Sequence, residues 1–184
     1  VWCLRGIYFF FKLFLKPKKK ITFLSRQYEG GSVDFDLLKK AICESGFDGE
    51  IKMLCKKIKP SIIGKIEYVF HIFAQMYHIA TSKVVVIDGY NIAVSVLNHK
   101  KDQSFVQLWH ALNIVKKFGY ASLGKPWGRK PSVAKAMCMH RNYTHIVACS
   151  EESGKVLCEC FGATADKVVL LPLPRIDYIL QSNT

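Results

Sequence analysis

The chain has 184 residues, half of them hydrophobic, which is enough to bury the core of one α/β domain without help from disulfides or a metal. Its 27 Lys and Arg against 14 Asp and Glu leave a formal charge of +13, which suits an anionic partner: nucleic acid, a phosphorylated substrate or an acidic membrane surface. Seven cysteines, odd in number and scattered through apolar or helical patterns, argue against a secreted disulfide framework and for a reducing, cytoplasmic compartment. The one close pair, Cys158-Glu-Cys160, has neither the two-residue spacer nor a neighbouring His or second pair, and reads as structural.

Val1 to Leu15 (VWCLRGIYFFFKLFL) is dense in aromatic and aliphatic residues and runs into Lys16, Lys18, Lys19 and Lys20. It falls short of the ~20 apolar residues that cross a bilayer. As a helix it aligns Trp2, Phe9 and Leu13 beside a basic cluster, the pattern of a segment lying in an anionic membrane interface. A first helix packed on the domain, its lysines in water, is the equal alternative. Residues 1–20 are therefore set apart as a basic, aromatic, membrane-interfacial segment, and residues 21–184 as the domain proper.

Beyond Pro17, short β-rich runs alternate with amphipathic stretches. Ile21 to Ser25 reads as the first strand, Asp34 to Cys43 as a helix with Phe35, Leu38 and Ile42 on one face, and Glu50 to Leu54 as a second strand. A long helix follows from Ser61 to Ile79, then the strands Lys83 to Asp88 and Ser104 to Leu108. Gly119 to Lys130, rich in Gly, Pro and cations, reads as a mobile loop beside the cleft. Pro131 to Tyr143 reads as a helix with Pro at its start, His145 to Cys149 as a strand, Ser150 as the N-cap of another helix, and Val168 to Leu171 as the last strand, followed by a turn. Six strands alternating with helices predict a Rossmann-like, doubly wound parallel sheet.

Ligands of such sheets sit beyond the carboxyl ends of the strands. Polar residues cluster there: Ser25-Arg26-Gln27, Asp88-Gly89-Tyr90-Asn91, Trp109-His110, Ser150-Glu151 and Arg175-Ile176-Asp177. His110 is the candidate base, since imidazole accepts a proton near neutrality. A core imidazole satisfied by backbone is the competing reading. Lys116 and Lys117 can face a phosphate or simply be solvated, and Arg129 and Lys130 share that ambiguity. Asp88 either offers a carboxylate to the cleft or caps the next turn. His71, His78, His99, His140 and His145 have no metal-ligand spacing, so no metal and no cofactor is expected. GxGxxG, GxxxxGK[ST] and GxSxG are all missing, and no RNP or KH signature marks a nucleic-acid binder.

The stretches KKKITFLSRQYEGGSVDFDLL, SKVVVIDGYNIAVSVL, QLWHALNIVKKFGY, MHRNYTHIVACSEESGKVLCECFG and LPLPRIDYIL, in this order, resemble the N-terminal half of the CDP-glycerol glycerophosphotransferase family, the teichoic-acid primases and polymerases. The resemblance implies the acceptor-side domain of a GT-B arrangement, working at the cytoplasmic face of the cell membrane. It implies transfer of glycerol phosphate, or a related polyol phosphate, from a CDP-activated donor to a lipid-linked acceptor. On the same grounds His110 is the catalytic histidine, Trp109 positions it, and Lys116, Lys117, Asp88, Arg175 and Asp177 are substrate contacts, the last two at the mouth of the cleft. Asn113 departs from the family pattern, which has a small residue two places after Ala111. The donor-binding half and its second histidine lie outside the resemblance, so this chain alone is expected to be inactive. The alternative from another class is a non-catalytic membrane-surface domain that binds an anionic glycan or polyphosphate.

Overall fold

The computed structural model describes residues 1–111 and 117–181. Six apolar runs form one sheet: β1 (Lys18–Ser25), β2 (Glu50–Cys55), β3 (Ser82–Ile87), β4 (Ser104–Gln107), β5 (His145–Ala148) and β6 (Val168–Leu170). All pairings are parallel, in the order β2-β1-β3-β4-β5-β6. The chain leaves β1 for β2 on one side and returns to β3 on the other. The connections leaving the carboxyl ends of β1 and β3 therefore diverge and open a crevice at this switch point.

Alternation along the strands sorts side chains onto two faces. Leu24, Val85, Ile87, Phe105, Ile146 and Ala148 share one buried cluster with Met76, Ile79, Val94, Leu157 and Phe161, residues of α3 (Ile62–Thr81), α4 (Ile92–Val96) and α6 (Glu151–Phe161). Phe23, Val86 and Val147 face the other way, against Phe35, Leu38 and Ile42 of α2 (Val33–Glu44) and Leu173, just before α7 (Pro174–Gln181). Helices thus cover both faces, as a doubly wound sheet requires.

Local chemistry sets the helix ends. The hydroxyls of Ser32, Ser61 and Ser150 accept the first-turn N–H groups of Phe35, Gly64 and Ser153, each cap worth about 1 kcal/mol. The carboxamide of Asn91 does the same for Val94 at α4, a five-residue helix that the stretch NIAVSV does not announce as helical.

Three expectations are corrected. The helix expected over Pro131 to Tyr143 stops at Ala136 as α5 (Pro131–Ala136). Beyond it Cys138, His140 and Asn142 have positive φ. This irregular turn lets the Arg141 guanidinium and the Asn142 amide donate to the carbonyls of Ser95, Val96, Leu97 and Val94, which α4 leaves without intrahelical partners. The expected closing turn is instead α7, with Pro174 at its start. The lysine run does not end before the first strand: Lys16, Lys18 and Lys19 are in solvent, but Lys18 to Lys20 open β1, so the boundary at residue 20 falls inside a strand. Lys20 is buried, its ammonium bonded to Thr81 Oγ1 and His78 Nδ1 and paired with Glu50.

The first segment is helix α1 (Trp2–Phe14). One side packs on the domain: Tyr8 is buried and shares a hydrogen bond with His99 Nδ1 at 3.0 Å, and Arg5 Nε donates to the Val96 carbonyl at 2.8 Å. The other side leaves Trp2, Phe9, Phe10, Leu13 and Phe14 in solvent. Among the described residues no helix is long and apolar enough to cross a membrane.

Candidate active site

The end of β4 carries a constrained backbone beside the switch-point crevice. Trp109 has φ +63°, a left-handed conformation costing on the order of 1–3 kcal/mol for a bulky side chain. Buried Gln107 helps to offset it. Its Oε1 accepts the Trp109 N–H at 2.9 Å while its Nε2 donates to the Gly89 carbonyl at 3.2 Å, tying the end of β4 to the turn after β3. The Trp109 indole lies flat on Phe118, with centroids 4.1 Å apart and planes at 6°.

This kink presents His110. Its Nδ1 lies 2.7 Å from the backbone carbonyl of Asp88. A carbonyl can only accept, so Nδ1 carries the hydrogen and the ring's lone pair is on Nε2. The imidazole leans on the Trp109 indole, with centroids 4.1 Å apart. An oriented imidazole with a basic Nε2 at a strand end is the geometry of a general base. Asp88 serves through its main chain. Its carboxylate is buried and accepts the Ser25 hydroxyl at 2.6 Å. Burial raises its pKa, against the opposing pull of Ser25 and His110. The cap that the sequence offered to Asp88 belongs to Asn91.

Beside His110 is a pocket of about 380 Å³. Arg26 and Gln27 from the end of β1, Tyr90 from the end of β3, Trp109 and Phe118 line one side; Trp127, Arg129, Met137 and His140 line the other. The Gly119 to Lys130 segment forms part of this wall. It begins as a 3-10 turn and is internally bonded, Gly128 N–H to the Lys125 carbonyl and Gly124 N–H to the Arg129 carbonyl. Two glycines make its path possible. Gly119 has φ +56°, and a Cβ there would lie 2.1 Å from the Cys160 carbonyl; at Gly128 it would lie 1.6 Å from that of Ser122.

The pocket is cationic. None of the described residues lining it is acidic. The Arg26 guanidinium stands 5.3 Å from the centre of the Tyr90 ring, whose hydroxyl donates to the Met137 carbonyl at 2.9 Å. Burial pushes the Tyr90 pKa up to about 12, while Arg26 and Arg129 both pull it the other way, so both cations bear on this one phenol. His140 stays neutral: burial, reinforced by Arg26, pushes its pKa down to about 3.

Of the other sequence candidates, Lys117 is exposed and paired with Glu159 at 2.7 Å, on the α6 side. Lys116 and Asn113 lie outside the described residues. Arg175 reaches into the domain, to Asp34 at the start of α2: its backbone N–H donates to Oδ1 at 2.9 Å, its Nε donates to Oδ2 at 2.7 Å, and its Nη2 also contacts Oδ2. Asp177 is exposed in the first turn of α7. The structure thus gathers Trp109, His110 and the Asp88 carbonyl in one place, and puts Lys117, Arg175 and Asp177 elsewhere. Tyr90 belongs to the strand-end cluster already read from the sequence, and His140 was weighed there only as a metal ligand; the pocket residues that sequence reasoning did not single out are Trp127 and Met137, with Gln107 behind them. A polar Gln inside an otherwise apolar strand was the available signal.

A family model described as CDP-Glycerol:Poly(glycerophosphate) glycerophosphotransferase matches residues 7–184. The chain belongs to this family. It is 32% identical over 128 residues to the teichoic acid ribitol-phosphate primase of Bacillus spizizenii, covering 70% of this chain and 33% of that protein. It is 25% identical over 190 residues to the teichoic acid glycerol-phosphate primase of Bacillus subtilis, covering 95% and 47%. The wall teichoic acid polymerase TagF has the same fold, with a TM-score of 0.69 at 15% identity over 97% of this chain and 45% of that one. A TagF variant soaked with CDPG superposes equally well, with a TM-score of 0.69. The chain spans less than half the length of each of these relatives, so this family member aligns with one portion of a larger transferase architecture.

Proposed function

We propose that the chain is the acceptor-side half of a GT-B polyol-phosphate transferase that extends or primes a teichoic-acid-type polymer. The observation that carries this reading is the hydrogen bond from His110 Nδ1 to the Asp88 carbonyl, which leaves Nε2 basic beside a cationic pocket. In the proposed reaction a hydroxyl of the lipid-linked acceptor attacks the β-phosphorus of CDP-glycerol or a related CDP-polyol. Nε2 takes the hydroxyl proton as the new P–O bond forms. The bond from the β-phosphorus to the bridging oxygen breaks, and CMP leaves. The donor and the leaving CMP are held by a second half contributed from outside these residues, consistent with the chain covering 33%, 26% and 47% of three primases and polymerases of this kind.

The same reading places the protein peripherally on the cytoplasmic face of the membrane. Support comes from two helices that touch each other. Besides the exposed aromatic side of α1, α3 leaves Ile62, Ile63, Ile66, Val69 and Phe70 in solvent, beside Lys59 and Lys65. Apolar side chains flanked by lysines suit an anionic lipid interface.

The test is transfer from radiolabelled CDP-glycerol and CDP-ribitol to a lipid-linked acceptor, using the protein encoded by the full reading frame. His110→Ala is expected to lower turnover by about two to four orders of magnitude, the usual contribution of a general base. Near-normal turnover would remove His110 from the mechanism. Binding of an anionic glycan by a full-length protein that transfers neither donor would favour the non-catalytic alternative. For the membrane, sedimentation with anionic vesicles should be lost when Phe9, Phe10, Ile63 and Phe70 are changed together to Ser, and unchanged sedimentation would refute that part.

A further inference from the structure

Among the described residues the cations of the pocket meet no carboxylate. Of the five arginines in the sequence, three are engaged within the fold: Arg5 with the Val96 carbonyl, Arg141 with carbonyls at the end of α4, and Arg175 with Asp34. Arg26 and Arg129 face the pocket instead, and among the described residues no carboxylate pairs with either. Arg26 is half-buried over Tyr90, and a desolvated cation is costly unless an anion meets it. The guanidinium fork matches phosphate oxygens, two at a time.

We infer that Arg26 and Arg129 form an anion subsite for the phosphodiester of the acceptor's terminal polyol unit, with Trp109 and Trp127 as its apolar walls. This deepens the proposed function and rests on it. With the phosphodiester on the two guanidiniums, the polyol carbons lie along the indoles and the chain-end hydroxyl reaches toward His110. The volume of about 380 Å³ is that of a small-molecule pocket, roomy enough for one polyol phosphate unit and too small for a long polymer. The subsite therefore reads charge one unit back from the growing end. An acceptor that ends in a phosphorylated polyol is selected over one that ends in a neutral sugar.

The test is binding by the 184-residue chain, with no turnover needed. The indole N–H resonances of Trp109 and Trp127 report on the pocket, and Trp2, exposed on α1, is the internal reference. The probes are the diester glycerophosphoglycerol, free glycerol, CDP-glycerol and vesicles of phosphatidylglycerol. The diester is expected to shift Trp109 and Trp127 but not Trp2, and glycerol to shift neither. Arg26→Gln and Arg129→Gln should each weaken diester binding about tenfold, the loss of one charge-assisted contact. Lys83→Gln, which removes the same charge from an exposed pair with Asp102 at the other end of the sheet, should leave it unchanged. Thermal melts coincident with the parent show that the arginine variants remain folded. The assignment is overturned if glycerol binds as well as the diester, or if neither arginine variant weakens binding. It is also overturned if CDP-glycerol takes the pocket more tightly, or if only the vesicles shift the two indoles. Because no arm measures transfer, inactivity of His110→Ala and loss of diester binding are separable results.

Discussion

The seam between α2 and α7 and the pocket beside His110 both lie beyond the carboxyl edge of the sheet, yet they treat cations in opposite ways. In the seam, Arg175 meets Asp34, which is buried, and clamps α7 to the domain. In the pocket, Arg26 and Arg129 stand among aromatic residues with no carboxylate among the described residues, while His140 is kept neutral by burial. A paired charge is scaffold, because its field is spent inside the fold. An unpaired one is available to a ligand, and the difference is set by a single residue, Asp34, that the pocket lacks.

Acid should expose the group from which charge is excluded. His99 and His140 have folded pKa values of about 4 and about 3, both below the ordinary 6.5. The unfolded chain therefore takes up their protons first, and stability is full above about pH 6.5. It is lost as pH falls toward 4, by on the order of 3 kcal/mol for each imidazole. Urea titrations from pH 7.5 to pH 4 measure this, and His99→Gln and His140→Gln should each flatten the profile. A flat profile in the parent would show that both rings are charged in the fold.

The next effect separates the two kinds of arginine. Arg175→Met strands the Asp34 carboxylate in the interior and should cost about 3 kcal/mol or more. Asp34→Asn should cost less, since Arg175 retains some solvent contact and one amide oxygen to bond. Equal stability of Arg175→Met and the parent in urea melts would erase the distinction between seam and pocket.

Gln107→Leu tests the link between them and the base. Loss of its bonds to Trp109 N–H and the Gly89 carbonyl should cost about 1–2 kcal/mol of stability. It should also reduce turnover more than it raises the acceptor KM, because it disturbs the kink that aims His110. A change in KM alone would make Gln107 a packing residue.

The smallest expected effect is the most telling for the comparison. Arg129→Gln, at an exposed residue, should shift stability by less than about 0.5 kcal/mol, and Arg26→Gln, which removes a half-buried cation with no carboxylate partner among the described residues, should not destabilise. Destabilisation comparable to that of Arg175→Met would mean that the pocket cations are structural.

Much of this was legible beforehand because it depends on local pattern. The runs ITFLS, KVVVID and HIVAC are apolar and rich in β-branched residues, which places their strands, and Ser150 ahead of Glu-Glu-Ser marks the start of α6. His110 stood out by its place after a strand, and the Gly-rich segment from Gly119 was rightly put beside the cleft. Arg175 shows the limit. Its position after β6 suggested the mouth of the cleft, and nothing nearby in sequence reveals that it meets Asp34, 141 residues away. The helix expected over Pro131 to Tyr143 had the right composition, but the carbonyls left open by α4 competed for Arg141 and Asn142 and ended it early.

By itself, then, the sequence determined the parallel six-stranded sheet, the family and the candidate base, because hydrophobic period, capping chemistry and short motifs act over a few residues. Only the tertiary structure decided which cations are spent and which are open, which ring nitrogen of His110 is basic, and that Lys20 is buried within β1. Those outcomes hang on contacts between segments far apart in the chain, where burial and one partner's charge outweigh any local preference.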